Sequence, residues 1–313
     1  MTYWQLHKIT SSFNRLILCL FAALIVIGCG RSYESRLETT LEDAQAAGWN
    51  YSITKSDNFD VAKFKPRFAP GRKTLTIFLE GDGFAYIDRY TISNNPTPFN
   101  PIGLKAAIQH GRYSREDNTA YIARPCQFVE GPNFRNCNKS HWSIARFETT
   151  IIDTINDAVD DLKAEAGAQK IKFVGYSGGG AIAMQLGARR SDIEQIITIA
   201  GNIDHDSWTA YHDISPLVSS AASRPAIIGA AQIPQMHFLG EEDEILPPEF
   251  YRQIQHSWPQ NASTYFVLVK DFDHHCCWVE NWTNLLSYAQ SNPLYFNQSG
   301  HSKPVQLKTI KMQ

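Results

Sequence analysis

The sequence lacks the features that mark several classes of protein. It has no internal repeat, no low-complexity block and no long run of charge of one sign. Its 29 basic and 31 acidic residues give a formal net charge of −2 at pH 7, so it has no basic footprint for nucleic acid. A small or weakly charged partner is expected instead. With 313 residues, of which 43% are hydrophobic, the chain suffices for one large domain or two small ones.

The N-terminal segment contains a hydrophobic run that is too short for a permanent membrane helix. Lys8 and Arg15 precede the run LILCLFAALIVIG, which ends at Gly28. A stable membrane span needs about 20 apolar residues. A basic start, an apolar centre and a small residue at the end are typical of a signal peptide, which we place at residues 1–28.

The residues VIGC, which end at Cys29, resemble the lipobox of bacterial lipoproteins. The resemblance implies that this cysteine carries a lipid anchor and that the protein lies in the cell envelope. Because the residue after this cysteine is Gly30 and not aspartate, we expect the protein to be anchored in the outer membrane and to face the periplasm. Stable anchoring takes two or more acyl chains, because each buried CH₂ contributes only about 0.8 kcal/mol. An ordinary secretion signal with an incidental cysteine is the alternative.

Besides Cys29, four cysteines remain in the mature chain, and export would permit disulfides. Cys126 and Cys137 bracket a loop with a Gly-Pro pair, and a bond between them would make that loop rigid. Cys276 and Cys277 are adjacent and follow two histidines, but this spacing does not match known zinc sites. We therefore expect a Cys126–Cys137 disulfide and no metal.

The central part of the chain alternates between short β-rich runs and helix-like segments. This alternation predicts an α/β fold, a mostly parallel sheet with helices on both faces. Three prolines interrupt residues 202–234 and leave no room for a large cap domain. The predicted strands are 74–79, 119–123, 170–175, 195–200, 235–240 and 264–269. The predicted helices are 34–48, 151–162, 247–258 and 276–290.

A glycine-rich turn directly follows the predicted strand 170–175 and directly precedes a helix-like segment. It reads GYSGG, with Ser177 between Gly175 and Gly179. A serine on so sharp a turn has a strained backbone, and side chains two residues before or after it would collide with the neighbouring strand and helix. The motif resembles the nucleophile elbow of the α/β-hydrolase superfamily. A structural turn or an anion-binding loop is the alternative.

The resemblance to α/β-hydrolases implies a serine, an acid and a histidine in that chain order. The stretch LGEEDEILPP resembles the acid turn of the family and selects Asp243, with Asp204 as the alternative acid. The stretch KDFDHHCCW follows the last predicted strand, and its loop length favours His274 over His275 as the base. Ser177 would then be the nucleophile.

The resemblance also implies two backbone donors for the oxyanion that forms when the serine attacks. One is the N–H group of Gly178. The other comes from the loop EGDG after the strand 74–79, where Asp82 is the first choice and Gly83 the second. Glu80 stands where many relatives have histidine, which leaves the side-chain hydrogen bonds of this loop open.

The resemblance covers residues 70–292, which would form the α/β-hydrolase domain. Residues 29–69 would be a tether and N-terminal extension, and residues 293–313 a C-terminal tail. The implied activity is hydrolysis of a small-molecule carboxylic ester, thioester or amide through an acyl-enzyme, without a cofactor. An inactive binding or structural module and an acyltransferase are the alternatives.

A further loop, GNIDHDSWTAYHD, collects aspartates and histidines whose separations fit no single metal geometry. We expect it to form the rim of a pocket. Its aromatic residues, together with two from the loop after the first predicted strand, would supply an apolar wall for a substrate. These residues are Trp208, Tyr211, Phe84 and Tyr86.

Overall fold

The centre of the fold is a nine-stranded sheet within residues 33–259, 262–292 and 306–312, the part of the chain that the computed structural model describes. The strand order is β1-β2-β4-β3-β5-β6-β7-β8-β9. The first two pairings in this order are antiparallel and the other six are parallel. The strands are β1 (Asn50–Lys55), β2 (Asp60–Lys65), β3 (Thr74–Leu79), β4 (Asn118–Ile122), β5 (Lys170–Tyr176), β6 (Ile193–Ile199), β7 (Gln235–Gly240), β8 (Thr264–Val269) and β9 (Gln306–Ile310).

Helices follow most of the strands, as crossover connections between parallel strands require. The described helices are α1 (Tyr33–Ala46), α2 (Ile102–Tyr113), α3 (Thr149–Ala166), α4 (Gly178–Arg189), α5 (His205–Tyr211), α6 (Ser223–Gly229), α7 (Pro248–Ser257) and α8 (Trp282–Ser291). Two short 3₁₀ turns precede α3. Within the described ranges, no helix is both long and apolar enough to cross a membrane.

The sheet separates two hydrophobic cores, because successive side chains of a strand point to opposite faces. Ile77 belongs to the core that contains α3 and α4, whereas its neighbour Phe78 belongs to the core that contains α2 and α8. In α3, buried residues recur at helical spacing from Ile151 to Leu162. Gly167, with a φ of 60°, ends this helix in the left-handed conformation that glycine adopts readily.

All six predicted strands are present, with ends that differ by at most two residues at either terminus. The helix predicted at 276–290 begins later, at Trp282, because the preceding residues form a turn. In that turn the indole N–H of Trp278 donates to the carbonyl of Asp273 at 3.0 Å. Within the described residues, 202–234 hold only short helices and no separate cap domain, as the prolines predict.

The sheet extends beyond the predicted domain boundaries at both ends. β1 and β2 lie in the predicted N-terminal extension, and β9 lies in the predicted C-terminal tail. β2 was not predicted because it contains polar residues. One of them, Lys63, is buried, and its ammonium group lies 3.3 Å from the carboxylate of Asp161. The boundaries 70–292 are therefore too narrow for the sheet. The predicted signal peptide and Cys29 lie outside the described residues.

Candidate active site

Ser177 lies at the sharp turn between β5 and α4. Its φ of 49° and ψ of −122° fall in a region that residues with side chains rarely adopt. A Cβ atom at Gly175 would lie 2.5 Å from the carbonyl oxygen of Gly179. A Cβ atom at Gly179 would lie 2.2 Å from the carbonyl oxygen of Leu79. The turn therefore requires glycine at both positions, and it directs the serine side chain away from the sheet.

Three side chains from separate parts of the chain form a line at this turn. Nε2 of His274 lies 3.0 Å from Oγ of Ser177, and Nδ1 of the same ring lies 2.9 Å from Oδ2 of Asp243. The histidine is only 5% exposed and the aspartate only 2%. The structure thus brings together the serine, the acid and the first-choice histidine that the sequence indicated.

Asp243 is oriented by the turn that follows β7. Its Oδ1 accepts hydrogen bonds from the backbone N–H groups of Ile245 at 2.9 Å and Leu246 at 2.8 Å. Because these bonds occupy one oxygen, the other faces the imidazole of His274. The two N–H donors therefore fix the orientation of the carboxylate beside the ring.

The alternative residues occupy other positions. Nδ1 of His275 lies 3.0 Å from the hydroxyl oxygen of Tyr176, and this ring is not in the line that ends at Ser177. Burial, followed by the neighbouring His274, lowers the pKa of His275. Asp204 caps α5, where Oδ1 accepts from the N–H of Ser207 at 3.1 Å.

The loop after β3 lies directly against the serine turn. A Cβ atom at Gly81 would lie 3.1 Å from the Cβ of Ser177, and one at Gly178 would lie 2.2 Å from Oδ1 of Asp82. Among the described residues, neither the N–H of Gly178 nor that of Asp82 has a hydrogen-bond acceptor. Gly83, the second-choice donor, has a φ of 67°, and a Cβ there would meet the Pro96 carbonyl at 2.1 Å. Both first-choice oxyanion donors therefore lie beside Ser177 without a protein partner.

Glu80 connects the same loop to the first turn of α2. Its carboxylate accepts from the N–H groups of Gly81 at 3.0 Å and Gly103 at 3.3 Å, and from the hydroxyl of Tyr121 at 2.9 Å. The absence of a side chain at Gly103 leaves room, since a Cβ there would lie 3.1 Å from Oε2. Burial raises the pKa of Glu80, although these donors oppose the shift. The Glu80 carboxylate therefore ties the loop after β3 to α2. The sequence alone did not predict these hydrogen bonds.

Two arginines hold the carboxylate of Asp82. Nη1 of Arg124 lies 2.9 Å from Oδ1, and Nη1 of Arg146 lies 2.5 Å from Oδ2. Burial would raise the pKa of Asp82, but the charges of Arg146 and Arg124 outweigh this effect and lower it. Sequence reasoning missed both arginines, because they follow β4 and precede α3 with no spacing that relates them to the loop after β3.

Removing the charge of Asp82 is expected to destabilise the fold. In Asp82→Asn, two guanidinium groups whose side chains are 7% and 9% exposed would lose their carboxylate. Removal of one partner from a buried ion pair costs about 3 kcal/mol or more. Urea unfolding at pH 7 should show this loss in the free energy of unfolding, with an unchanged m-value.

The exposed pair Arg189–Asp153, with side chains 36% and 54% exposed, offers a matched control. Asp153→Asn should cost less than about 1 kcal/mol, because solvent screens surface pairs. The loss in the free energy of unfolding that Asp82→Asn causes should also become smaller below about pH 4. The lowered pKa means that the ion pair contributes fully above the pKa of an unfolded aspartate and is lost as the pH falls through the folded value. Equal losses in the two variants would contradict the prediction.

A cleft of about 420 Å³ opens above Ser177. Its wall contains three of the four predicted aromatic residues, Phe84, Tyr86 and Trp208. Tyr211 does not line it, because its ring packs on Phe250 with the ring centroids 5.9 Å apart. The lining therefore combines these aromatic rings with the charged Arg146 and with His274 and His275.

The cysteines lie near this site but outside the line of three side chains. The sulfur atoms of Cys126 and Cys137 lie 2.08 Å apart, at bonding distance, as the predicted disulfide requires. Those of the adjacent pair Cys276 and Cys277 are also bonded to each other. Within the described ranges, no group of three or more histidine, cysteine, aspartate or glutamate side chains is arranged to hold a metal ion.

The described fold is similar to that of solved hydrolases at low sequence identity. An α/β serine hydrolase homologue from Coxiella burnetii has a TM-score of 0.52 at 11% identity, over 78% of this chain and 96% of that one. The esterase domain of a Rhodothermus marinus protein has a TM-score of 0.50 at 12% identity, over 78% and 98%. An acylaminoacyl peptidase from Pyrococcus horikoshii has a TM-score of 0.50 at 11% identity, over 80% and 42%.

The chain therefore has the α/β-hydrolase fold. No protein-family model and no curated protein matches the sequence. At these identities the structural likeness establishes the fold alone, so the activity has to be argued from the side chains of the site.

Proposed function

We propose that the protein is a serine hydrolase that cleaves a carboxylic ester, or a related thioester or amide, through an acyl-enzyme. The observation that carries the proposal is the unbroken line of contacts from Ser177 through His274 to Asp243. A serine hydroxyl is a weak nucleophile and needs a neighbouring base, and that base needs a third group to orient it. Each requirement is met here by a buried side chain at hydrogen-bond distance.

In the first half of the reaction, Oγ of Ser177 attacks the substrate carbonyl while Nε2 of His274 accepts the hydroxyl proton. The carbonyl oxygen becomes an oxyanion and faces the N–H groups of Gly178 and Asp82. His274 then donates the proton to the leaving oxygen or nitrogen, and the bond between the carbonyl carbon and that atom breaks. The acyl group remains on the serine.

In the second half, water replaces the leaving group. His274 takes a proton from the water as it attacks the acyl-enzyme, and the same proton returns to Oγ of Ser177 when the acid leaves. Asp243 stays ionised and stabilises the imidazolium that forms in each half. The lipid anchor at Cys29 and the envelope location remain predictions from the sequence.

Labelling with a fluorophosphonate probe tests the proposal directly. The wild-type protein should react covalently with the probe, because the activated Oγ of Ser177 displaces fluoride from phosphorus. Ser177→Ala should not be labelled. Ser207→Ala is the matched control, since that serine lies in the nearby helix α5 and bonds only to its cap, and this variant should label like the wild type. An unlabelled wild-type protein would refute an active nucleophile.

A further inference from the structure

Asn202 carries a buried polar group that the mechanism above does not use. The residue follows β6, is 6% exposed and lines the cleft together with Ser177 and His274. Its side-chain Oδ1 has no hydrogen-bond partner among the described residues. A buried polar atom without a partner costs about 1–3 kcal/mol, so a native protein has few of them.

The backbone of Asn202 has a separate task from its side chain. Its N–H donates to the carbonyl oxygen of Ser177 at 2.8 Å, which supports the sharp turn. Any residue other than proline can make this bond. The turn therefore does not require asparagine, and the carboxamide in the cleft needs another explanation.

The order of strands places Asn202 on the leaving-group side of the serine. The loop with Asp82 follows β3, on one side of β5, whereas Asn202 follows β6 on the other side. Asp243 and His274 follow β7 and β8, on the same side as Asn202. During the reaction the oxyanion faces the loop after β3 and the leaving oxygen faces His274. The atoms attached to the leaving oxygen thus enter the half of the cleft that contains Asn202.

We propose that the Asn202 carboxamide binds a hydroxyl group of the alcohol part of the substrate, a few bonds from the ester oxygen. A hydroxyl both donates and accepts, which matches a carboxamide that offers an acceptor and a donor. The preferred substrates are then esters of polyols, such as glycerol or a sugar, and not esters of simple alcohols. This inference rests on the proposed hydrolase function and adds the substrate class to it.

Two esters with the same acyl group test the proposal, ethyl butyrate and 2-hydroxyethyl butyrate. The wild-type protein should show a higher kcat/KM for the hydroxylated ester. Asn202→Leu keeps the approximate size of the side chain and the backbone N–H, but removes the carboxamide. It should lower kcat/KM for the hydroxylated ester by about tenfold and for the ethyl ester by less than about threefold, since one hydrogen bond is lost only with the first.

Asn100→Leu is the matched control, because this asparagine also lines the cleft but its Oδ1 is 2.6 Å from Nζ of Lys105. The ratio of kcat/KM for the two esters in Asn100→Leu should equal that of the wild-type protein. In Asn202→Leu, an equal loss of kcat/KM on both esters would show a structural role, and no loss on either ester would show no contact; either result overturns the inference. Hydrolysis of neither ester by the wild-type protein, or of both by Ser177→Ala, would instead refute the proposed hydrolase function.

Discussion

Ser177→Ala and His274→Ala should each lower kcat for ester hydrolysis by about 10⁶-fold, because either change removes the activated nucleophile. Oγ of the serine and Nε2 of the histidine are 3.0 Å apart, and in the proposed mechanism they act as one unit. Without the ring, the hydroxyl keeps its proton at neutral pH. Without the hydroxyl, no acyl-enzyme forms. The rate of product release from an activated ester, measured with purified protein at saturating substrate, provides kcat.

The double variant with both Ser177→Ala and His274→Ala should have a kcat no lower than that of either single variant. Residues that act as a unit are not additive, and the activity that remains comes from the oxyanion donors and from substrate binding. Here those donors are the N–H groups of Gly178 and Asp82, which neither substitution removes. A double variant that is slower by the product of the two single effects would contradict a shared step.

His275→Ala is the matched control for the histidine assignment. This ring bonds to the hydroxyl of Tyr176 and does not reach the line of three side chains. We expect its loss to reduce kcat by less than about tenfold, which is much less than the loss of a general base. If His275→Ala were as slow as His274→Ala, the assignment of the base would be wrong.

Local sequence signals were sufficient to locate the serine turn and most of the sheet. β-rich runs such as TLTIFL and TYFVLV became strands with the predicted bounds, because buried parallel strands are apolar on both faces. The glycines at 175 and 179 could be identified because a backbone contact of 2.5 Å or less excludes any side chain there. The contact at Gly175 is with the nearby Gly179, whereas the contact at Gly179 is with Leu79 of β3. Both glycines could still be identified, because the turn motif fixes their spacing around the serine.

The ion pairs beneath the loop after β3 could not be predicted in the same way. Arg124 lies 42 residues and Arg146 lies 64 residues after Asp82 in the chain. Only the folded sheet brings the end of β4 and the start of α3 next to the loop after β3. The strands at the sheet edges were missed for a related reason, because β1 and β2 carry polar residues whose burial depends on partners such as Asp161 in α3.

The choice between Asp243 and Asp204 shows where sequence and structure complement each other. Both aspartates follow a strand of the parallel sheet, so chain order permits either as the acid. In the structure Asp204 binds the N–H and the hydroxyl of Ser207, which uses both of its oxygens to cap α5. Asp243 instead has one oxygen on the backbone and the other on His274.

Asp243→Asn should lower kcat by about 10⁴-fold while leaving the fold intact. The amide oxygen of asparagine can still accept from the N–H groups of Ile245 and Leu246, which now fix Oδ1 at 2.9 and 2.8 Å. The amide NH₂ must then face Nδ1 of His274. That nitrogen becomes an acceptor, and the ring proton moves to Nε2, which can no longer take the proton of Ser177.

The same substitution at Asp204 separates this tautomer effect from a general effect of lost charge. Asp204→Asn keeps an oxygen for the N–H of Ser207, so α5 retains its cap and kcat should change by less than about threefold. The kcat of both variants should be compared with their free energies of unfolding from urea titrations. A normal kcat in Asp243→Asn, or a 10⁴-fold loss in Asp204→Asn, would assign the acid to the other aspartate, because only the residue that holds Nδ1 protonated controls the base.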